Sequence, residues 1–296
     1  MLKVALIGTG KWGGNILRTL EGMRGIEVVV FDENNKAGSK DIEGLDAALV
    51  ASPGSTHLEV ALPFVKRGIP THIEKPMTTS LRDARILKKA AKKSGAPVFV
   101  GHIHLYNEAF LKMKELAKGA GRLRTIHFEG MNNGPIRADM SVLWDWGPHG
   151  VSMIVDLLNK EPTHVQGWGY LGLRPKTKLY DEVKTRLFFD NNVEATCSMS
   201  WLSPEKRLKL VVIGSKYSVV FEDTVDRKIS VYKDRNVSYP KYKKGSPLEN
   251  ELKAFIDVIK KKKKRHKTDT NNGLTVVNIL SKLEKSMEFD GKRVKC

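Results

Sequence analysis

The sequence predicts an α/β protein with two domains, a helix-covered parallel sheet followed by an α+β domain with an open, mostly antiparallel sheet. Three observations support this prediction. A chain of 296 residues is long enough for about two domains of roughly 150 residues. Strand and helix patterns alternate over residues 1–118, which is typical of a parallel sheet. Residues 119–296 contain longer alternating strands separated by turns, so the predicted boundary lies near residue 118.

The elements of the first domain each have a local pattern. Residues 4–7 form a continuous apolar run, as expected of a strand buried on both faces. Ser80 and Asn107 are placed to cap helices, and Gly95 and Gly119 follow the last turns of the same helices. Further strands are predicted over 28–31, 45–51, 71–73 and 98–100, and helices over 12–20, 58–67, 81–93 and 108–118.

In the second domain, strands follow one another without intervening helices. The predicted strands are 123–129, 183–189, 193–201, 208–213 and 217–221. A helix is predicted from Pro148 to Leu158, because apolar residues recur there at helical spacing. Ser246 and Pro247 begin a later helix, with Ser246 as its cap and Pro247 in its first turn.

The charge of the chain is strongly positive and uneven. Lys+Arg 51 minus Asp+Glu 33 gives +18, and the stretch from Arg227 to Lys267 holds 15 basic and 4 acidic residues, or +11. Such a surface attracts nucleic acid or an anionic substrate, or it is simply a solvated helix end. We favour the solvated helix end for the run Lys260 to Lys264, because no aromatic-rich strand accompanies it as a stacking platform. We therefore expect no nucleic-acid partner.

The two cysteines, Cys197 and Cys296, exclude a disulfide framework and a cysteine-rich zinc module. The sequence contains no run of about 18 apolar residues, so it predicts no membrane-spanning helix. The N-terminus enters the first strand without a leader-like segment. These features favour a cytoplasmic protein that has no membrane partner.

A glycine motif directly follows the first strand and begins a helix. It consists of Gly8, Thr9, Gly10, Lys11, Trp12 and Gly13. In a G-x-G-x-x-G motif the first glycine permits a tight turn, the second lets a pyrophosphate approach, and the third lets helix and strand pack closely. The alternative is an ordinary glycine-rich turn. The position after an apolar strand favours a dinucleotide site, and hence a Rossmann domain at the N-terminus.

Asp32 follows the second strand, at about the spacing expected of the acid that binds a ribose 2′-hydroxyl. Together with Glu33, it should repel a 2′-phosphate, which favours NAD over NADP as the cofactor. Lys36 is close enough in sequence to offset part of that repulsion. The alternative for Asp32 is a turn residue at the end of a strand.

Two further motifs carry reactive side chains. Glu74, Lys75 and Pro76 follow a predicted strand, where a parallel sheet binds its ligands, and a lysine there can donate to a carbonyl or alkoxide oxygen. Asp145 and His149 are four residues apart, so one helical turn directs both to one site, and histidine suits acid–base catalysis. Taken alone, each motif also fits a surface turn or a helix cap.

The order of these motifs resembles the Gfo/Idh/MocA oxidoreductases, the glucose–fructose oxidoreductase and inositol dehydrogenase family. The likeness runs from the glycine motif through Ser52-Pro53-x-x-x-His57 and the two motifs above to most of the chain. Other similar segments are 106–110, 201–204 and 247–252. Segments 10–15 and 142–145 are most similar to members that act in nucleotide-sugar pathways.

The resemblance implies an NAD(H)-dependent oxidoreductase that transfers hydride between the nicotinamide and a secondary alcohol or ketone of a sugar or nucleotide sugar. It implies that Lys75 binds the reacting oxygen, that His149 takes the hydroxyl proton and that Asp145 orients the substrate. Because members differ in the proton acceptor, Lys75 and His149 are assigned jointly. The remaining predicted cofactor contacts are the glycine motif, Asp32, Ser52, Pro53, His57 and Glu74. The remaining predicted substrate contacts are Tyr106, Asn132, Asn133 and Arg137, the last three on a predicted loop.

The resemblance also implies that the last helices, about 247–288, pack back toward the Rossmann domain. An open sheet face usually needs covering, so we expect a homodimer or a homotetramer.

The sequence departs from the family at two places. Thirteen residues separate Asp32 from Asp46, so the Rossmann domain is trimmed after its second strand, on its adenosine side. His102 and His104 replace a conventional segment, and two histidines on one strand face can bind a metal. Without a third ligand in the sequence, we favour structural histidines and predict no metal site.

Two other functional classes remain possible at this point. A trimmed Rossmann domain fits a non-catalytic nucleotide-binding or scaffold protein, although the joint presence of Lys75, Asp145 and His149 argues for an enzyme. The lysine run fits a nucleic-acid-binding protein. Dinucleotide binding and a substrate screen distinguish the three.

Overall fold

A computed structural model describes residues 1–32, 41–177, 179–190, 192–261 and 266–296. The chain divides into two compact units. Unit 1 comprises residues 1–103 and 246–277, and unit 2 comprises residues 104–245 and 278–296. The predicted boundary near residue 118 differs from this division, which falls after Ile103.

Unit 1 is built on a five-stranded parallel sheet in the order β2-β1-β3-β4-β5. Its strands are β1 (Leu2–Ile7), β2 (Ile26–Phe31), β3 (Ala47–Val50), β4 (Thr71–Glu74) and β5 (Val98–Gly101). This is the usual strand order of a doubly wound nucleotide-binding sheet without its outermost strand. Among the residues that the structure describes, β2 is the edge strand, which fits the predicted trimming.

Four helices and part of a fifth cover this sheet. They are α1 (Lys11–Glu21), α2 (His57–Lys66), α3 (Leu81–Ser94), α6 (Pro247–Ile259) and the first part of α7 (Thr270–Glu288), which the division splits after Val277. Side chains of a strand alternate between the two faces. Val4 and Leu6 therefore pack with α1 and α6 on one face, while Ala5 packs with Phe31 and Phe64 on the other. Both faces are covered, and β3 and β5 accordingly contain no polar side chain, whereas β4 carries the buried His72 and Glu74.

Unit 2 is built on a nine-stranded sheet in the order β13-β12-β11-β10-β6-β9-β8-β7-β14. Its strands are β6 (Leu123–Asn133), β7 (His164–Tyr170), β8 (Glu182–Phe188), β9 (Glu194–Ser200), β10 (Leu202–Gly214), β11 (Ser218–Glu222), β12 (Ile229–Lys233), β13 (Asn236–Ser238) and β14 (Val294–Lys295). The β6–β9 pair is parallel and the other pairs are antiparallel. The predicted mostly antiparallel sheet is confirmed.

Helices α4 (Glu108–Gly119) and α5 (Val142–Leu158) and the second part of α7 pack on this sheet. The predicted boundary assigned α4 to the first domain. Its contacts are instead with unit 2, because the ring of Phe110 lies 6.2 Å from that of Phe221 and Tyr217 donates a hydrogen bond to the carbonyl of Leu116. Gly150 lets α5 lie close to the sheet, because a Cβ there would meet the ring of Phe128 in β6 at 2.5 Å.

The predicted helix caps are present. Ser80 accepts a hydrogen bond from the amide of Asp83, Asn107 from that of Ala109, and Ser246 from that of Glu249. These short-range hydrogen bonds depend only on neighbouring residues, and the sequence alone therefore locates them well.

The predicted start of α5 at Pro148 is wrong. The helix begins at Val142, after the N-cap Ser141, and Pro148 lies inside it. A proline inside a helix removes a hydrogen bond and costs roughly 3 kcal/mol. Tertiary packing offsets that cost, because Val142, Trp144 and Trp146 are all buried.

The prediction that His102 and His104 share a strand face is also wrong. Strand β5 ends at Gly101, and Ile103–Tyr106 forms a 3-10 turn, so strand alternation does not apply.

Among the described residues, no helix has the length and apolar character needed to cross a bilayer.

Candidate active site

The glycine motif forms the turn from β1 into α1, and its glycines are required at two places. Gly8 has a φ of +96°, and a Cβ there would lie 2.9 Å from the backbone of Ala51 at the end of β3. A Cβ at Gly13 would overlap the carbonyl oxygen of Gly8. The turn therefore lies against the carboxyl ends of two neighbouring strands, where α/β sheets bind ligands.

The N-terminus of α1 fits the phosphates of a dinucleotide. A Cβ at Gly10 would meet nothing within 4 Å, so the backbone is open on that side. Gly10 is the N-cap and makes no side-chain cap, and no acidic residue lies in the first turn. Free amide groups and a positive dipole end favour an anion there. Thr9, Lys11 and Trp12 are exposed around this turn.

Asp32 directly follows β2 and is partly exposed. It therefore ends the strand next to β1, as expected of an acid that selects the ribose. Glu33 and Lys36 lie outside the described residues, and so do residues 262–264 of the lysine run.

His57 connects two loops at the carboxyl edge of the sheet. Its Nδ1 lies 2.8 Å from the carbonyl oxygen of Pro76, and its Nε2 lies 2.9 Å from that of Ser52. The side chain is buried, and burial lowers its pKa although both carbonyls favour the protonated form. His57 thus holds the Ser52 and Pro76 loops together, while Ser52 is partly exposed and Pro53 is exposed.

The Glu-Lys-Pro motif separates a buried carboxyl from an accessible ammonium. Lys75 is the only residue between Thr71 and Thr78 that is not buried. Glu74 turns inward over Gly101, where a Cβ would lie 2.9 Å from its carboxyl group. The Glu74 carboxyl accepts hydrogen bonds from the backbone N–H of Lys75, at 3.3 Å, and from the side chain of Trp12. Glu74 therefore positions the lysine and the glycine motif, and Lys75 reaches solvent.

Glu74 belongs to a buried group of ionisable side chains. Burial raises the pKa of Glu74 to about 7, against the attraction of His72, and burial also raises the pKa of Glu251 well above its usual range. Burial lowers the pKa of His72. The sequence analysis predicted only Glu74 of these three, because Glu251 reaches the site from a distant helix.

In unit 2, Asp145 and His149 lie one turn apart on α5. They are the only residues between Ser141 and Ile154 that are not buried. A helix whose other faces are packed therefore presents one carboxylate and one imidazole together. This is the arrangement that the spacing predicted, although Asp145 lies in the first turn rather than before the helix.

Both oxygens of Asp145 have partners. Oδ1 lies 3.3 Å from Nε of Arg137, and Oδ2 accepts a hydrogen bond of 3.2 Å from Nε1 of Trp201. Trp201 is buried, and the guanidinium of Arg174 lies 5.4 Å from its ring centre. The structure thus brings the predicted Arg137 to Asp145 and adds Trp201. The sequence offered one signal for Trp201, its place in a segment similar to the family.

Other aromatic groups surround His149. The ring of His104 lies 4.8 Å away, nearly perpendicular, and that of Trp146 lies 5.9 Å away. Trp146 donates a hydrogen bond of 2.9 Å to the side-chain oxygen of Asn132. Asn132 therefore holds a neighbour of His149 and, with Asn133, ends β6 rather than lying on the predicted loop. Tyr106, a predicted substrate contact, is buried.

Two family models match the chain. Residues 2–102 match the "Oxidoreductase family, NAD-binding Rossmann fold", and residues 110–220 match the "GFO/IDH/MocA C-terminal domain". The matches confirm the predicted family and fold class, and they agree with the predicted oxidoreductase activity and with NAD as the predicted cofactor.

Individual relatives are similar at low identity. Scyllo-inositol 2-dehydrogenase (NAD(+)) of Bacillus subtilis is 24% identical over 187 residues, which cover 60% of this chain and 55% of the relative. UDP-N-acetylglucosamine 3-dehydrogenase of Acidithiobacillus ferrooxidans is 25% identical over 171 residues, covering 56% and 52%. The matched part thus spans about half the length of these curated relatives.

A solved structure extends the likeness to nearly the full chain. The crystal structure of a putative oxidoreductase from Magnetospirillum magnetotacticum is 26% identical, with a TM-score of 0.84, and the match covers 95% of this chain and 99% of that chain. On the agreement of both domain models with the fold and its glycine turn, the chain belongs to the Gfo/Idh/MocA oxidoreductase family.

Proposed function

We propose that the chain is an NAD(H)-dependent oxidoreductase that transfers hydride between the nicotinamide and a secondary alcohol or ketone of a sugar or nucleotide sugar. The observation that carries this proposal is the pattern of exposure. Lys75 in unit 1, and Asp145 and His149 in unit 2, are the accessible members of otherwise buried segments. A merely structural role would not require reactive groups to be the ones that reach solvent.

The glycine motif would hold the dinucleotide phosphates on the N-terminus of α1, and Asp32 would hold the ribose. When bound, the nicotinamide supplies the hydride acceptor. The chain supplies the proton chemistry. As the substrate C–H bond breaks, the hydroxyl proton must leave so that a carbonyl can form. The Nδ1 atom of His149 is buried, so we assign the proton to Nε2.

Lys75 would donate a hydrogen bond to the reacting oxygen and stabilise its partial negative charge. Asp145, one helical turn from His149, would bind a second hydroxyl of the substrate. Arg137 and Trp201 fix the carboxylate of Asp145 in one orientation. Family members differ in which of these two residue types accepts the proton, so we assign the roles of Lys75 and His149 jointly.

For the substrate, we propose a ring that carries secondary hydroxyls. The relatives above are named for an inositol and for a nucleotide sugar, and the sequence similarity to the nucleotide-sugar branch favours the latter. The non-catalytic alternative is weaker, because it leaves the exposure of Lys75, Asp145 and His149 without a reason. We also propose a homodimer or homotetramer in the cytoplasm, which light scattering and cell fractionation test.

The experiment is a titration of the purified chain with NADH, followed by a screen of nucleotide sugars, free sugars and inositols as substrates. Turnover is followed as the change in NADH absorbance. With a substrate in hand, we expect His149→Ala and Lys75→Ala each to lose at least about 10²-fold in turnover. His149→Ala should still bind NADH. Lys66→Ala, an exposed lysine on α2, is the matched control and should not change turnover.

The double variant should lose less than the product of the two single losses, because the proposed mechanism assigns both residues to the same reacting oxygen. If His149→Ala turns over within a few-fold of the wild type, the assignment of the site is wrong.

A further inference from the structure

Three polar side chains meet inside unit 1, behind the end of β4. His72 and Glu74 occupy alternate positions of β4, so they lie on the same face of the sheet. Glu251 comes to this face from α6. The three side chains are 0%, 7% and 0% exposed, and their candidate ligand atoms all lie within 4.8 Å of one another. No other such group of metal-ligating side chains occurs in the part of the chain that the structure describes.

The polar atoms of this group lack hydrogen bonds. Both ring nitrogens of His72, both carboxyl oxygens of Glu251 and Oε1 of Glu74 are buried without a hydrogen-bond partner among the described residues. Lys267 attracts Glu251, and Lys75 attracts Glu74, but neither satisfies these atoms. Buried charges are normally paired or bound to a metal. Five unsatisfied atoms in one place therefore need a common partner.

The spacing favours an ion between the groups over direct hydrogen bonds. Nε2 of His72 lies 3.8 Å from Oε2 of Glu251, too far for a hydrogen bond. Two ligands of a tetrahedral zinc ion, each at about 2.0–2.1 Å, stand roughly 3.3–3.5 Å apart. Small movements of these side chains would bring the atoms to that separation. One imidazole nitrogen and two carboxylate oxygens also form a donor set that zinc and manganese accept.

We propose that His72, Glu74 and Glu251 bind one divalent transition-metal ion, such as Zn²⁺. The sequence analysis predicted no metal site, because metal-binding motifs are recognised from ligands that are close in sequence, and Glu251 is far from His72 and Glu74 along the chain. The ion would take the place of protons on two buried carboxyl groups and join α6 to β4, the strand that ends at Glu74. This proposal does not rest on the proposed function, since the ion stabilises unit 1 whether or not the chain is an enzyme.

The test uses the full chain, purified without a metal-affinity tag and dialysed first against a chelator and then against metal-free buffer. Zn²⁺ and Mn²⁺ are then titrated by calorimetry, and Co²⁺ serves as a spectroscopic probe. We expect one site per chain and a rise in the melting temperature of at least about 3 °C on Zn²⁺ addition. The Co²⁺ form should show visible absorption bands of a low-symmetry site.

Glu251→Gln keeps the size of the side chain and should weaken Zn²⁺ binding at least about tenfold. Glu249→Gln changes an exposed carboxylate in the first turn of the same helix and should leave Zn²⁺ binding unchanged. Glu74→Gln is the second variant if Glu251→Gln does not fold. A wild-type chain that binds none of the three ions overturns the proposal, as does a folded Glu251→Gln chain with wild-type affinity. In that case the group is neutral or filled by water.

Discussion

The three glycines at the start of α1 allow packing and cofactor binding to be separated by single methyl groups. In Gly13→Ala, the new methyl would overlap the carbonyl oxygen of Gly8 and lie 2.9 Å from its carbon. Both obstacles are backbone atoms, so neither can rotate away. In Gly10→Ala, the methyl would meet no atom within 4 Å, and the φ of −58° suits alanine.

The expected magnitudes differ accordingly. Overpacking typically costs 1–3 kcal/mol, and we expect about 3 kcal/mol for Gly13→Ala because α1 must move away from β1. At about 2–4 °C for each kcal/mol, the melting temperature should fall by roughly 6–12 °C. Gly10→Ala should stay within about 0.5 kcal/mol of the wild type. Its methyl would occupy the space that a pyrophosphate needs, so NADH binding should weaken at least about tenfold.

Gly14→Ala is the matched control. Its methyl would meet only a guanidinium nitrogen of Arg18, at 3.9 Å, and alanine in a helix gains about 0.5–1 kcal/mol over glycine. Melting curves and NADH fluorescence titrations on all three variants give the result. The packing argument fails if Gly13→Ala is as stable as Gly14→Ala. The assignment of the phosphate site fails if Gly10→Ala binds NADH as tightly as the wild type.

Three further predictions concern selectivity, orientation and charge. The wild type should bind NADH more tightly than NADPH, and Asp32→Ala should reduce this difference in affinity. Calorimetric titrations with both dinucleotides measure it, and wild-type binding of NADPH as tight as that of NADH, or tighter, would contradict the prediction. Trp201→Phe removes the hydrogen bond to Asp145 and should lower kcat/KM roughly tenfold; the melting temperature should also fall because Trp201 is buried, so the kinetics are measured well below it. Unchanged kinetics would show that Asp145 needs no such support. Replacing the lysines at 261–263 with Gln should leave turnover nearly unchanged, and tight, salt-sensitive DNA or RNA binding by the wild type would instead favour a nucleic-acid function.

The fold was predictable from sequence where local signals determine the structure. The glycine motif, the apolar strands and the side chains that cap α3, α4 and α6 depend on residues close in sequence. The start of α5 was not predictable in the same way. Pro148 is a local signal for a helix start, but the burial of residues before it extends the helix to Val142.

The candidate site shows the same division. Lys75, Asp145 and His149 could be selected as candidates from the sequence because their motifs are short and ordered along the chain. Their partners Glu74 and Arg137 were also named from the sequence, but as cofactor and substrate contacts. Trp201 reaches Asp145 from the end of β9, and neither spacing nor periodicity relates the two residues. Glu251 likewise reaches Glu74 only through the packing of α6 on the sheet.

The parallel sheet itself explains why the reactive groups of unit 1 lie where they do. Helices cover both faces, so a residue within a strand cannot reach a ligand, and every residue of β4 is buried. The first residue beyond the strand is the first that can, and in β4 that residue is Lys75. The Gly8 turn likewise begins directly after β1, and Ser52 is the second residue after β3. Glu74, one residue earlier, faces the interior, where it acts on the site only through its hydrogen bonds to Lys75 and Trp12. A shift of one residue along the chain therefore separates a group that can reach a ligand from one that positions its neighbours.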